Sequence, residues 1–165
     1  MSPLGTLHLL LVDDNPNMRA IVAAMLKSIG IGRLSEAEDG TQALRILREH
    51  SIDIAIVDFR MQPMDGVAFT RSIRWDEDSP NPYLPIIMMT GHSERSRVTE
   101  ARDAGVNEFL AKPVMINSLI KRLEAIILRP RPFVRSDDFF GPDRRRTYQL
   151  DHAGPFRRST DPKPD

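Results

Sequence analysis

The chain contains no cysteine in 165 residues, a single tryptophan and no net formal charge. Without thiols there can be no disulfides, thiolate zinc sites or cysteine nucleophiles, and their absence fits a protein that is not exported. No apolar run approaches the roughly 20 residues that a membrane-crossing helix needs. The start, Met1-Ser2-Pro3-Leu4-Gly5-Thr6, lacks the basic stretch that opens a signal peptide. A soluble, cytoplasmic protein without membrane contacts is expected. A glycine-rich loop ending in Lys-Ser or Lys-Thr is also missing, so the chain is not built to grip a nucleotide.

The zero net charge hides a division. Residues 1–128 carry 14 Lys and Arg against 17 Asp and Glu, whereas residues 129–165 carry 9 against 6 and hold 6 of the 13 prolines. This shift predicts a main domain over 1–128 and a Pro/Arg-rich tail over 129–165, divided near Leu128-Arg129-Pro130. The acidic main domain offers no electrostatic attraction for nucleic acid.

Within the main domain, apolar runs of strand length alternate with amphipathic segments. Strands are expected at 7–12, 34–37, 53–57, 86–89 and 107–111. The first helix starts at Pro16 and runs to about Ile29, with Met18, Ile21, Val22, Met25 and Leu26 at helical spacing. Asp39-Gly40 leads a second helix, a third spans about 66–74, a fourth is capped by Ser93 and ends at Gly105, and a fifth spans about 115–128. Strands buried on both faces, each followed by a helix, predict a doubly wound α/β fold with a five-stranded parallel sheet. Right-handed crossovers then bring all the strand C-termini to one edge.

The polar residues that close those runs carry the chemistry. Asp13 and Asp14 end the first run, Asp58 the third and Thr90 the fourth, while Lys112-Pro113 follows the fifth. Singly, each has a structural explanation: a helix cap, a turn hydroxyl, a solvated lysine. Together they converge on one edge, where clustered carboxylates repel unless a cation joins them. A hard divalent ion, Mg²⁺ or Mn²⁺, suits oxygen ligands, with Asp14 and Asp58 direct and Asp13 direct or through water. With its charge offset by metal and Lys112, Asp58 can attack a phosphoryl group and form an acyl phosphate. Lys112 and the Thr90 hydroxyl would hold the phosphoryl oxygens, helped by backbone N–H groups after Asp58 and Thr90. The donor would be a protein phosphohistidine or a small acyl phosphate.

Over about residues 6–128 this set resembles the receiver domain of bacterial two-component response regulators. The resemblance implies a flavodoxin-like (βα)₅ fold of strand order 2-1-3-4-5. It casts Asp13 and Asp14 as the acidic metal pair, Asp58 as phosphoacceptor, Thr90 as the switch hydroxyl and Phe109 as the aromatic that changes rotamer. It further casts Lys112-Pro113 as a lysine before a cis-proline, Arg60 as a metal ligand through its carbonyl, and Met64-Asp65-Gly66 as the opening of the third helix. Met61-Gln62-Pro63 departs from the pattern, because its proline falls one position late. Arg60 and His92, each two beyond a site residue, stand where the family tunes hydrolysis of the acyl phosphate, and their bulk predicts a persistent phosphoryl group.

A phosphoryl group on Asp58 would draw Thr90 and free space for Phe109, a two-position pair read out over residues 93–128. The implied partners are a sensor histidine kinase or phosphotransfer protein and a downstream protein target, with a homodimer as a further option. In the tail, Phe133, Phe139-Phe140, Arg144-Arg145-Arg146, Tyr148 and Phe156-Arg157-Arg158 interleave aromatics with arginine. Such a segment can be an arm partly docked by its aromatics, an interface with a protein, or a nucleic-acid contact. Two competing functions remain at this level: an adaptor acting through the tail, and an aspartyl-nucleophile phosphohydrolase. The phosphohydrolase class wants Asp-x-Asp at its first strand, where this chain has Asp13-Asp14-Asn15.

Overall fold

Five apolar runs become five parallel strands, and side-chain alternation along them builds two separate cores. In this computed structural model, which describes residues 3–144, the strands are β1 (His8–Val12), β2 (Arg33–Ala37), β3 (Ile54–Asp58), β4 (Ile86–Thr90) and β5 (Glu108–Ala111). They form one sheet in the order β2-β1-β3-β4-β5, every pairing parallel. The helices are α1 (Pro16–Ser28), α2 (Gly40–Glu49), α3 (Gly66–Trp75), α4 (Val98–Ala104) and α5 (Ile116–Leu128).

Because successive residues of a strand point to opposite faces, Leu10, Val12, Ala55, Val57, Ile86 and Met88 pack against α2, α3 and α4. Their neighbours Leu9, Leu11, Ile54, Ile56, Ile87 and Met89 pack against α1 and α5. Each fully buried aliphatic side chain contributes about 1.5–3 kcal/mol, so the central strands β1, β3 and β4, buried along their whole length, anchor the fold. The expected burial on both faces fails at β2. It is an edge strand in which only Ala37 is buried, and the charges of Arg33 and Glu36 suit an unpaired edge.

The helix starts are set by short polar caps. Asn15 accepts from the N–H groups of Asn17 and Met18, Asp39 from Gln42, and Asp65 from Ala68. The fourth helix departs from the expectation. A 3₁₀ turn, His92–Arg97, precedes the short α4, and Ser93 is not the cap. Glu94 instead accepts from the Gly91 N–H at 2.6 Å and from the Ser93 hydroxyl at 2.6 Å, which holds the chain in the tighter turn. Gly105, at φ +111°, ends α4 in the left-handed region that suits glycine.

Beyond α5 the chain folds back as an antiparallel hairpin, β6 (Phe133–Arg135) and β7 (Phe140–Pro142). It seats at the end of the sheet where β4 and β5 begin, against α3 and α4. Arg74, on α3, is the centre of this seat and only 2% exposed. Its five N–H donors all find acceptors: Gly105 O at 3.1 and 2.7 Å, Pro82 O at 2.9 Å, Leu84 O at 2.8 Å and Asn107 Oδ1 at 3.0 Å. Burial pushes this guanidinium down to about 9, which leaves it charged at neutral pH. Its Cζ lies 4.8 Å from the Phe133 ring centroid. Phe133, Phe140, Tyr83 and Trp75 meet edge-on around it, with centroids 5.3–6.0 Å apart. The hairpin approach is backbone on backbone: a Cβ on Gly141 would sit 2.7 Å from Gly105 Cα. The tail residues Arg145, Arg146, Tyr148 and Phe156-Arg157-Arg158 lie outside the described residues.

Candidate phosphoryl and metal site

At the opposite edge, the C-terminal ends of β1, β3, β4 and β5 bring together the polar residues singled out in the sequence. Asp58 and Thr90 are the last residues of β3 and β4, one position deeper in the sheet than expected, and both are buried. Asp13 follows β1 and is fully buried, while Asp14 is exposed. One ligand oxygen from each of Asp13, Asp14 and Asp58 falls within 4.8 Å of the others. The capping explanation for the acidic pair does not hold, because Asn15 caps α1. Asp13 Oδ1 accepts from the Asn15 N–H at 2.9 Å, and Asp13 O accepts from Arg19 Nη1 at 2.6 Å.

Two buried oxygens in this cluster, Asp13 Oδ2 and Asp58 Oδ1, have no hydrogen-bond partner. Lys112 Nζ lies 2.5 Å from Asp58 Oδ1 and pairs with it as an ion pair, whereas Asp13 Oδ2 keeps no hydrogen-bond partner. Burial raises the Asp58 carboxyl from its ordinary 3.8 to about 6. Lys112 opposes that rise, and the Asp13 and Asp14 charges add to it. Burial also raises Asp13, against the pull of the Asn15 N–H and of Lys112. Buried carboxylates that repel one another, with an Asp13 oxygen left unpartnered, fit a hard divalent cation, which would supply that partner and further positive charge.

Beside the acids, on the Lys112 side, an open cleft of about 350 Å³ is lined by Thr90, Gly91, His92, Arg95, Ala111 and Lys112. His92 is exposed on its rim. The Lys112-Pro113 peptide is cis, and so is Gln62-Pro63, the displaced proline of the loop after β3. Phe109 is half-buried on β5 opposite Met88. Two residues along β4 from Met88, Thr90 shares that sheet face, so Thr90 and Phe109 sit on one side of adjacent strands.

Gly66 allows α3 to start close to Asp58. Its N–H donates to Phe59 O at 2.9 Å, and a Cβ there would lie 2.6 Å from Asp58 O. The backbone donors expected beside the site are partly engaged. The Phe59 N–H donates to Met89 O at 2.9 Å, and the Gly91 N–H to Glu94. Glu94, which sequence reasoning passed over, is buried and binds Arg60, with Nη2 to Oε2 at 2.9 Å. Arg60 also reaches Ser93 Oγ at 3.1 Å. The Ser93 hydroxyl, then the Gly91 N–H and Arg60, outweigh burial and hold the Glu94 carboxyl below the usual range. The only sequence signal for Glu94 was its place three residues after Gly91, the spacing at which a Glu reaches back to the N–H that opens a helix, although Gly91 has no side chain to complete a capping box.

A doubly wound sheet of order 2-1-3-4-5 with an acid cluster, a hydroxyl and a lysine at the strand ends defines a class of phosphorylation-controlled domains, and the comparisons place the chain within it. The response regulator receiver domain model matches residues 9–124, and the chain belongs to that family. The chemotaxis protein CheY-3 of Vibrio cholerae is 35% identical over 74% of this chain and 93% of its own length. A crystal structure of a putative response regulator from Chloroflexus aurantiacus, 28% identical, covers 74% of this chain and 98% of its own at a TM-score of 0.68. The receiver domain of a Pseudomonas aeruginosa sensor histidine kinase, with a magnesium ion coordinated in its active site cleft, is 33% identical over 72% of this chain and 94% of its own, TM-score 0.63. Phosphorelay signalling in a two-component system is therefore the function class of this chain, and it selects the receiver reading over the adaptor. Among the described residues no helix is long and apolar enough to cross a membrane.

Proposed function

We propose that Asp58 accepts a phosphoryl group from a histidine kinase or phosphotransfer protein and that the chain signals through protein contacts. The observation that carries this reading is the pairing of buried Asp58 with Lys112, beside an Asp13 oxygen that has no hydrogen-bond partner. An Asp58 carboxylate oxygen attacks the phosphorus of a phosphohistidine. The P–N bond breaks, and the imidazole leaves with the bonding electrons and takes a proton. With acetyl phosphate the P–O bond to acetate breaks instead. Lys112 then neutralises charge on the phosphoryl oxygens, and the Thr90 hydroxyl donates to one of them.

Asp13, Asp14 and Asp58, with the Arg60 carbonyl, are the residues proposed to hold Mg²⁺ or Mn²⁺. When bound, such an ion offsets negative charge on the attacking carboxylate and the phosphoryl oxygens. Thr90 moving toward the phosphoryl group opens room for Phe109, and residues 93–128 form the face that partners read. Arg60, held by Glu94 and Ser93, and His92, which lines the cleft, are the bulky groups proposed to favour a persistent acyl phosphate by hindering the approach of water. Incubation with acetyl phosphate and Mg²⁺ should label the wild-type chain and leave Asp58→Asn unlabelled, read by intact-protein mass. An unlabelled wild type would sink the reading, and catalytic turnover of a phosphomonoester would favour a phosphohydrolase instead.

A further inference from the structure

The 3₁₀ turn His92–Arg97 runs directly into α4 with a change of helix type at Arg97, and the two ends of this segment touch different things. The front end borders the cleft. There Glu94 holds the Gly91 N–H and Arg60, while Arg97 lies 4.8 Å over the Phe59 ring and 3.9 Å from Asp65. The far end meets the hairpin. A Cβ on Gly105 would lie 2.8 Å from Phe140 O, and Arg144 Nη1 is 2.7 Å from Asp103 Oδ1. At Gly105 the approach is to the Phe140 carbonyl with no flexible side chain between them to absorb a shift, so movement of the segment would be felt by the seated hairpin.

The front end is also where a phosphoryl group would intrude. A dianionic group on Asp58 would repel the buried Glu94 carboxylate and compete with it for the Gly91 N–H. Resting on the reading of Asp58 as acceptor, we infer that the hairpin Phe133–Pro142 is the output element of this chain: phosphorylation of Asp58 acts through residues 92–105 to unseat it, and the seated hairpin opposes phosphorylation. The two effects are equal by linkage. Unseating exposes Phe139 and Phe140, now 5% and 3% exposed, beside Arg135 and Arg144. Aromatic and arginine side chains are the favoured anchors of protein interfaces, so the freed segment and its vacated seat suit a protein partner.

Trp75 makes this testable in the full chain. It is the one tryptophan, and it lies against the hairpin, its ring 6.0 Å from Phe140 and 5.1 Å from the Arg135 guanidinium. Beryllium fluoride with Mg²⁺, a non-covalent stand-in for the phosphoryl group, should shift Trp75 emission to the red with a saturable dose response. Gly141→Ala, whose added carbon meets Gly105, should show the shifted emission without the mimic and bind the mimic about fivefold tighter or more. Arg144→Ser, a surface change that leaves folding intact, should move both readouts the same way by less, and circular dichroism would establish that each variant is folded. If Asp58 labels with acetyl phosphate while the mimic leaves Trp75 emission unchanged, the coupling is refuted. Wild-type affinity for the mimic in folded Gly141→Ala and Arg144→Ser chains would refute it too. A wild type that fails to label at all removes the acceptor reading and this inference with it.

Discussion

The two ends of the sheet bury charge in opposite ways. At the end where the strands finish, Asp13 is buried with one oxygen left unpartnered, Asp58 is buried with Lys112 as its one ion-pair partner, and burial raises both carboxyls. At the end where the strands begin, Arg74 is buried with all of its N–H donors paired to oxygen acceptors. A buried charge with satisfied partners holds a structure together, whereas one with unsatisfied partners stands ready for something not yet bound. The contrast separates scaffold from site without reference to any relative.

Stability measurements can break that contrast. Arg74→Ala would leave several carbonyl acceptors buried and unpaired and should cost about 3–5 kcal/mol, read from urea unfolding midpoints at constant slope. A loss below 1 kcal/mol would mean that the seat is not a buried polar anchor. Asp58→Asn should do the reverse and stabilise the chain by about 1–3 kcal/mol at pH 7 without divalent ions. The sign follows from the raised carboxyl: the folded state prefers Asp58 protonated, so ionisation destabilises it above about pH 6. The benefit of the substitution should therefore fade as pH falls from about 6 toward 3.8.

The same carboxyl sets how a metal competes with protons. Mg²⁺ affinity, measured by calorimetry, should be level above about pH 6 and weaken below it. The slope should be about tenfold per pH unit for one displaced proton, and the raised Asp13 would steepen it. A flat profile between pH 7 and 5 would remove Asp58 from the ligand set. The smallest effect is expected at Arg60→Ala. Arg60 is largely exposed although its partner Glu94 is buried, so the change in stability should stay within about 1 kcal/mol. Any change in acyl-phosphate lifetime in that variant would then report on chemistry rather than on folding.

The fold was legible because its signals are local. Runs such as Leu9-Leu10-Leu11-Val12 and Ile54-Ala55-Ile56-Val57 can only be central strands of a covered sheet, and the acids ending them mark one edge. Asp13, Asp14, Asp58 and Lys112 were found that way, and the structure brings them together; Thr90 lines the same cleft. What escaped depends on partners distant in the chain. Phe133-Val134-Arg135 is too short to read as a strand, and its partner contains Gly141 and Pro142, residues that argue against one. Only packing on Trp75, Tyr83 and Arg74 makes that pairing worthwhile. Arg74 itself looks like an ordinary surface arginine until the carbonyls of Pro82, Leu84 and Gly105 surround it. At His92–Arg97 the misreading was of Ser93, whose hydroxyl serves Glu94 instead of the helix end.

The contact between Gly105 and Gly141 limits how far this tail can be treated as a transferable module. A hairpin held by side chains could be grafted onto another receiver and would settle by repacking. This one packs through Phe133 and Phe140 and also brings backbone against backbone, so it requires the host to offer a glycine at the end of its fourth helix as well. In a host without it, the first carbon of a side chain would press on the Phe140 carbonyl and keep the hairpin from seating as it does here.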